Sequence, residues 1–215
     1  MTAPGQVARD NPEVTRLFEL RSDPAHDLAS QAGAVADACH AMAVRFHRGG
    51  TLVVFGTGGP SADAQHVAVE FVHPVIVGKR ALPAISLTTD VATVTGIAER
   101  EGVDMIFAHQ LRYLAGPDDI ALGISADGDS GSVLAGLETA RSLGLLTIAL
   151  VGGRALAGGS RGRIATSDAV DHLLAAASDD PRVIKEIHVT TYHILWELVH
   201  VFFEQPGVLD PGVVT

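Results

Sequence analysis

Apolar and polar positions follow two different periods along this chain. From about Asp23 to His47, alanine-rich apolar positions recur at three- and four-residue spacing, which predicts a helix with one buried stripe. Asp23-Pro24 suits its opening and Arg48-Gly49-Gly50 its end. Short unbroken apolar runs then appear at Thr51–Phe55, Pro83–Leu87, Asp119–Ile124, Leu145–Val151 and Ala169–Ala175. Helical patterns separate them at 61–72, 90–98, 103–114 and 130–143, and a last one starts at Pro181 and runs to about Phe203. Strands that are apolar throughout and alternate with helices predict an α/β fold. Its core is a doubly wound, five-stranded parallel sheet flanked by helices. The Gly-rich stretch 152–163 reads as a loop. The pattern divides the chain into an N-terminal extension (1–22, frayed over its first ten residues), one domain (23–205) and a C-terminal tail (206–215).

Composition narrows the function classes. The 215 residues carry a net charge of −10, which disfavours contact with nucleic acid or an anionic membrane. No basic run that would grip a phosphate backbone is visible. No apolar stretch is long enough to span a bilayer before His, Glu or Gly interrupts it. The one cysteine, Cys39, sits in a helical apolar pattern and is expected to be a buried thiol. That pattern, with no visible signal peptide at the N-terminus, is consistent with a reducing, cytoplasmic setting.

Ligands of open parallel sheets bind beyond the carboxyl ends of the strands, so the turns after strands are the first places to look. Two such turns are candidates. Phe55-Gly-Thr-Gly-Gly-Pro-Ser61 has glycines that let backbone approach a ligand, and the helix after it presents a positive end. It lacks the spacing of a dinucleotide fingerprint. Ile124-Ser-Ala-Asp-Gly-Asp-Ser130 supplies the hydroxyls of Ser125 and Ser130 and leads into a helix that Asp129 or Ser130 can cap. Either turn alone is adequately explained as a tight strand–helix connection. Together they point to a pocket.

These segments resemble a known family. Gly56-Thr-Gly-Gly-Pro-Ser-Ala-Asp-Ala-Gln-His66 is similar to the GNGGSxxDAxH segment of phosphoheptose isomerases. The second turn is similar to their ISTSGNS segment, and Lys185-Glu-Ile-His-Val-Thr-Thr-Tyr-His193 to their QExHxxxxH helix. Order and spacing agree from about residue 24 to 203. The resemblance implies a sugar-isomerase (SIS) domain, a flavodoxin-like sandwich that assembles as a homotetramer with active sites where subunits meet. It implies conversion of sedoheptulose 7-phosphate to an aldoheptose phosphate, often with zinc. The same group contains non-catalytic members that act through protein partners, so a binding or regulatory scaffold is the alternative. A related lyase or epimerase activity is a further one.

The resemblance makes Glu70 the candidate base and His193 the candidate acid of an enediolate mechanism, and His66, Glu70 and His193 three of four metal ligands. His66 and Glu70 stand four apart on a predicted helix and so share a face. The candidate substrate-binding set is Gly56, Thr57, Gly58, Gly59, Ser61, Asp90, Ser125, Asp127, Ser130 and Lys185. Asp90 has helix capping as its plainer role. Glu186, His193 and His200 recur every seven positions and are expected to form a polar seam between subunits.

The chain also departs from the family pattern. Thr57 stands for Asn, and Pro60 for a phosphate-binding Ser. Ala126, Asp127 and Asp129 replace Thr, Ser and Asn, and two carboxylates beside a phosphate would repel it. Lys185 stands at the Gln metal-ligand position and Arg182 at a neighbouring Asp. An ammonium has no lone pair for zinc, so Lys185 is expected to supply the metal's charge itself, pairing with Glu70 or polarising a carbonyl. The aspartates 127 and 129 and the cations 182 and 185 are expected to pair across the site. Such a pocket would suit a substrate less anionic than a sugar phosphate, or one bearing an amine.

Overall fold

The computed structural model describes residues 11–153 and 162–205. Three helices open it, α1 (Pro12–Glu19), α2 (Ser22–Ser30) and α3 (Ala32–His47), followed by β1 (Leu52–Gly56), α4 (Gly59–Val72), β2 (Ala84–Ser86), α5 (Val91–Glu101) and α6 (Ile106–Leu114). The second half runs β3 (Ile120–Ser125), α7 (Gly131–Ser142), β4 (Leu146–Gly152), β5 (His172–Ala176) and α8 (Pro181–Phe203). The five strands form one all-parallel sheet in the order β2-β1-β3-β4-β5. This is the flavodoxin-like order, with its switch point between β1 and β3.

The sheet is buried on both faces because its central strand residues are apolar or small, except Thr147, whose hydroxyl is satisfied by Asp171. Leu52, Val54, Ile120, Leu122, Ile124, Ile148 and Leu150 meet α3, α4 and α8 on one side. The alternate positions Val53, Phe55, Ala121, Ala149 and Val151 meet α6 and α7 on the other. The period of two along each strand sorts them. Small residues allow the closest approaches. A Cβ on Gly123 would lie 2.9 Å from Val133, and one on Gly136 would lie 2.8 Å from the Phe55 ring. The outer strand β2 is only three residues long, which limits its exposed edge.

Two boundaries differ from the sequence expectation. The predicted helix 23–47 is two helices, broken at Gln31. The Gln31 side chain explains the break, because its amide donates to the Ala175 carbonyl (2.9 Å) and accepts from the Ala175 N–H (3.2 Å). It thereby satisfies backbone groups of the edge strand β5. The extension, expected to be frayed only in its first ten residues, carries α1 from Pro12. Asn11 caps that helix through the Glu13 N–H, and the bidentate Arg21–Glu186 pair ties the following turn to α8. The start 1–10, the tail 206–215 and most of the loop 152–163 lie outside the described residues. Among the described residues no helix is long and apolar enough to cross a membrane.

Candidate active site

The two turns lie side by side at the carboxyl ends of β1 and β3, at the switch point. In the first, Gly58 adopts φ +74°, where a side chain would strain the backbone, and α4 starts at once with Pro60 in its first turn. A Cβ on Gly56 would meet Pro60 and the Ile124 carbonyl at under 3 Å, so glycine is what lets the turns touch. The Ser61 hydroxyl donates to the Gly58 carbonyl (2.7 Å). A cavity of about 190 Å³ on one side of this turn is lined by Gly56, Thr57, Gly58, Ser61, Thr88 and Phe107, among others. A second, of about 230 Å³, lies on the other side between Gly59, Pro60, Asp63, Ala126, Lys185 and His188.

The second turn is tied up internally. The buried Ser125 hydroxyl accepts from the Gly128 N–H and donates to Asp127 Oδ1, both at 3.0 Å, and the same carboxylate oxygen accepts from the Asp129 N–H at 2.9 Å. Asp129 accepts from the Arg163 N–H at 2.8 Å. Ser130 occupies the N-cap position of α7 without capping it through its side chain. Its hydroxyl instead lies 3.2 Å from that of Ser132, which lies 2.6 Å from Thr57 Oγ1. A chain of hydroxyls therefore joins the two turns, and Thr57 takes part in it although it replaces an amide of the family pattern. Ser132 lies just past the quoted segment and was not singled out.

Helix α4 aims His66 and Glu70 at α8, which presents His193. His66 Nε2 lies 3.1 Å from Glu70 Oε1. One nitrogen of each imidazole and one Glu70 oxygen lie within 4.8 Å of one another, so the three can hold a metal ion. The Glu70 side chain is 15% exposed and that of His66 43%, so the cluster is open on one side. Tyr192 fills the space behind the histidines, with its hydroxyl 3.2 Å from His66 Nδ1 and its ring edge-on to both imidazoles. Burial, helped by the charges of Asp63 and Glu70, pushes the Tyr192 phenol up and keeps it protonated.

Three expectations are corrected here. Lys185 does not pair with Glu70. Its ammonium donates to Asp63 Oδ1 at 2.6 Å, because Asp63, buried on α4, faces the first turns of α8. The aspartates 127 and 129 do not pair with the cations 182 and 185. Arg182 is held by Asp180, the N-cap of its own helix, while Asp129 is held by Arg163. Glu186, His193 and His200 do not form one seam. Glu186 is bound by Arg21, and His200 is buried between the carbonyls of Trp196 (2.8 Å) and Arg80 (2.9 Å). Asp90 caps α5 through the N–H groups of Ala92 and Thr93, its plainer role. Cys39 is fully buried, and burial raises its thiol to about 12.

Sequence reasoning missed Asp63, Tyr192 and His188, although all three lie inside the quoted motifs. An acid three residues before His66 and a phenol beside His193 were the available signals. His188 is 2% exposed, and its Nε2 has no partner among the described residues. Burial depresses its protonation below the ordinary value of 6.5, against smaller opposing contributions from its bond to the Val151 backbone and from Asp63. A histidine with a depressed folded value stabilises the fold fully above about pH 6.5 and loses that contribution as pH falls below it. Stability is therefore expected to drop on the acid side by up to about 1.4 kcal/mol per pH unit through this residue. Urea titrations of the protein and of His188→Asn at pH 7.5 and 5.5 check this. An equal acid loss in both would show that His188 is not responsible.

The comparisons agree with the geometry. The SIS domain family model matches residues 24–152. The chain is 41% identical over 175 residues to the phosphoheptose isomerase of Solidesulfovibrio magneticus, covering 81% of each, and 40% identical over 185 residues to that of Desulfovibrio desulfuricans, covering 85% of this chain and 84% of the relative. The solved phosphoheptose isomerase from Francisella tularensis superposes with a TM-score of 0.79 at 31% identity, over 88% of this chain and 97% of that one. With the sheet order, the paired turns and the His66–Glu70–His193 cluster in place, this chain belongs to the phosphoheptose isomerase family of SIS-domain proteins.

Proposed function

We propose that this protein interconverts a phosphorylated ketose and aldose of the heptose class, sedoheptulose 7-phosphate being the ketose. The observation that carries the reading is the convergence of His66, Glu70 and His193 beside the two turns. The Glu70 carboxylate takes a proton from the carbon next to the ketose carbonyl. The released electron pair forms the carbon–carbon double bond of the enediol, and His193 protonates the former carbonyl oxygen. In the second half His193 recovers a proton from the neighbouring hydroxyl as its carbon becomes the aldehyde. Glu70 then delivers its proton to the adjacent carbon. No proton is gained or lost overall.

The internal engagement of Asp127 and the Asp129–Arg163 link support a phosphorylated substrate, because both carboxylates are occupied by donors of their own chain. Zinc fits the donor set of two imidazoles and a carboxylate with an open side, and His66, Glu70 and His193 would hold it. When bound, it would stabilise negative charge on the enediolate oxygens as a Lewis acid. Lys185 cannot be a fourth ligand. Lys185→Gln is therefore expected to raise zinc affinity about tenfold, on the order of the effect of an added neutral donor near a metal. Competition against a chromophoric chelator measures this, and an unchanged affinity would mean that position 185 lies out of reach of the metal.

Exposed Val69, Val72, Val75, Ile76 and Val77, on or just after the helix that carries His66 and Glu70, support assembly into a homotetramer that covers this apolar strip. The single buried thiol and acidic charge suit a reducing, cytoplasmic setting. The functional test is incubation with sedoheptulose 7-phosphate, followed by NMR of the anomeric signals with added zinc and with chelator. Aldoheptose phosphate in either arm supports the isomerase. No conversion in both would count against it and favour the scaffold alternative.

A further inference from the structure

We infer that Tyr192 is a positioning residue for His66, a phenol that partners the second imidazole nitrogen in either tautomer and so holds the ring in place while the first nitrogen changes its bonding. The His66 ring is contacted at both nitrogens, Nε2 lying 3.1 Å from Glu70 Oε1 and Nδ1 lying 3.2 Å from the Tyr192 hydroxyl. These partners differ in kind. An ionised carboxylate only accepts hydrogen bonds, whereas a phenol both donates and accepts.

This asymmetry fixes what each atom does. With Glu70 facing Nε2, that nitrogen carries the proton and donates to the carboxylate. Nδ1 is then a lone pair, and the Tyr192 O–H donates to it. When Nε2 offers its lone pair to a metal ion, the proton must sit on Nδ1. The Nδ1–H then donates to the phenol oxygen, whose own proton rotates away. Neither arrangement requires the imidazole to turn. A phenylalanine would serve neither, and a carboxylate in its place would serve only the second. Metal-binding histidines generally depend on such a partner at the far nitrogen.

The phenol is itself held firmly. Tyr192 is 2% exposed, and its ring meets those of His66 and His193 edge-on, with centroids 5.5 and 5.0 Å away. The two imidazoles also meet each other edge-on, with centroids 5.3 Å apart, so the three rings form one mutually packed group. The isomerase reading enters only through the metal site, since NMR reads the tautomer without substrate.

The test is long-range proton–nitrogen NMR of the imidazoles in metal-free protein and in Tyr192→Phe, with His66 assigned by the signals lost in His66→Gln. Zinc affinity is measured on the same samples by chelator competition. The metal-free parent is expected to show one tautomer at His66, protonated on Nε2, and to change to the Nδ1-protonated form when zinc is added. Tyr192→Phe keeps the ring but is expected to show mixed tautomers and to bind zinc about tenfold more weakly. Unchanged His66 signals with an affinity within about twofold of the parent would overturn the inference, on the same scale of effect. If the variant does not fold, the parent decides, since an Nδ1-protonated His66 without metal contradicts it. A parent that neither binds zinc nor turns over the ketose would sink the isomerase reading, while the metal-free tautomer comparison would still judge Tyr192.

Discussion

Replacing Glu70 with Gln is expected to lower turnover about a thousandfold, within the usual range for loss of a general base, while leaving the melting temperature nearly unchanged. The expectation rests on how little else Glu70 does. Its side chain is 15% exposed, and among the described residues its hydrogen-bonding neighbour is His66, itself 43% exposed. Gln has the same shape and keeps an oxygen for that contact, so the fold loses almost nothing. What disappears is an acceptor able to take a proton from carbon. Steady-state kinetics on the ketose phosphate beside a thermal melt separates the two. A variant that keeps a tenth or more of the activity would remove Glu70 from the role of base, since so small a loss is below what general-base removal costs.

The second large effect concerns a residue with no chemistry of its own. Gly152 ends β4, and a Cβ there would lie 2.1 Å from the Ala126 carbonyl oxygen and 2.5 Å from Ile184 Cγ2. One neighbour is the backbone of the second turn and the other belongs to the first turns of α8, so neither can yield cheaply. Gly152→Ala is expected to destabilise the protein by about 3 kcal/mol, the upper part of the usual overpacking range. For a chain of this size that lowers the melting temperature by roughly 10 °C. Because the clash pushes the turn away from the helix bearing Lys185 and His193, the Michaelis constant is expected to rise in the fraction that stays folded. A melt within about 2 °C of the parent would show that the turn has slack, since that shift corresponds to less than 1 kcal/mol.

How legible these features were differs by element. The three central strands β1, β3 and β4 are readable because both faces of each are buried, which turns their sequences into unbroken apolar runs such as Leu52-Val-Val-Phe55. The break at Gln31 is not. No glycine or proline marks it, and its cause is a side chain that reaches an edge strand 144 residues away in sequence. The His66–Glu70–His193 cluster could be found because the motif fixes residue types and spacing. The partners of Lys185, Asp127 and Asp129 could not, because charge alone does not say which of several neighbours is nearest. Asp63 pre-empts Lys185, and Arg163 pre-empts Asp129, each from a different element. Tyr192 illustrates the same limit, since its hydroxyl gains meaning only when α4 and α8 are packed together.

The strand order also bears on how the chain reaches its fold. Strand β1 lies inside the sheet, and both of its neighbours come later in the chain, Leu52 pairing with Ala84 on one side and Ile120 on the other. During synthesis a wholly apolar segment therefore emerges with two open edges, and the second closes only after β3 has left the ribosome. Parallel pairings at such separation form slowly. Over that interval the nascent chain offers a template to any other extended segment. Yield on refolding should accordingly depend on protein concentration far more than on the stability of the finished molecule, and dilution or a chaperone should recover material that a stabilising substitution does not.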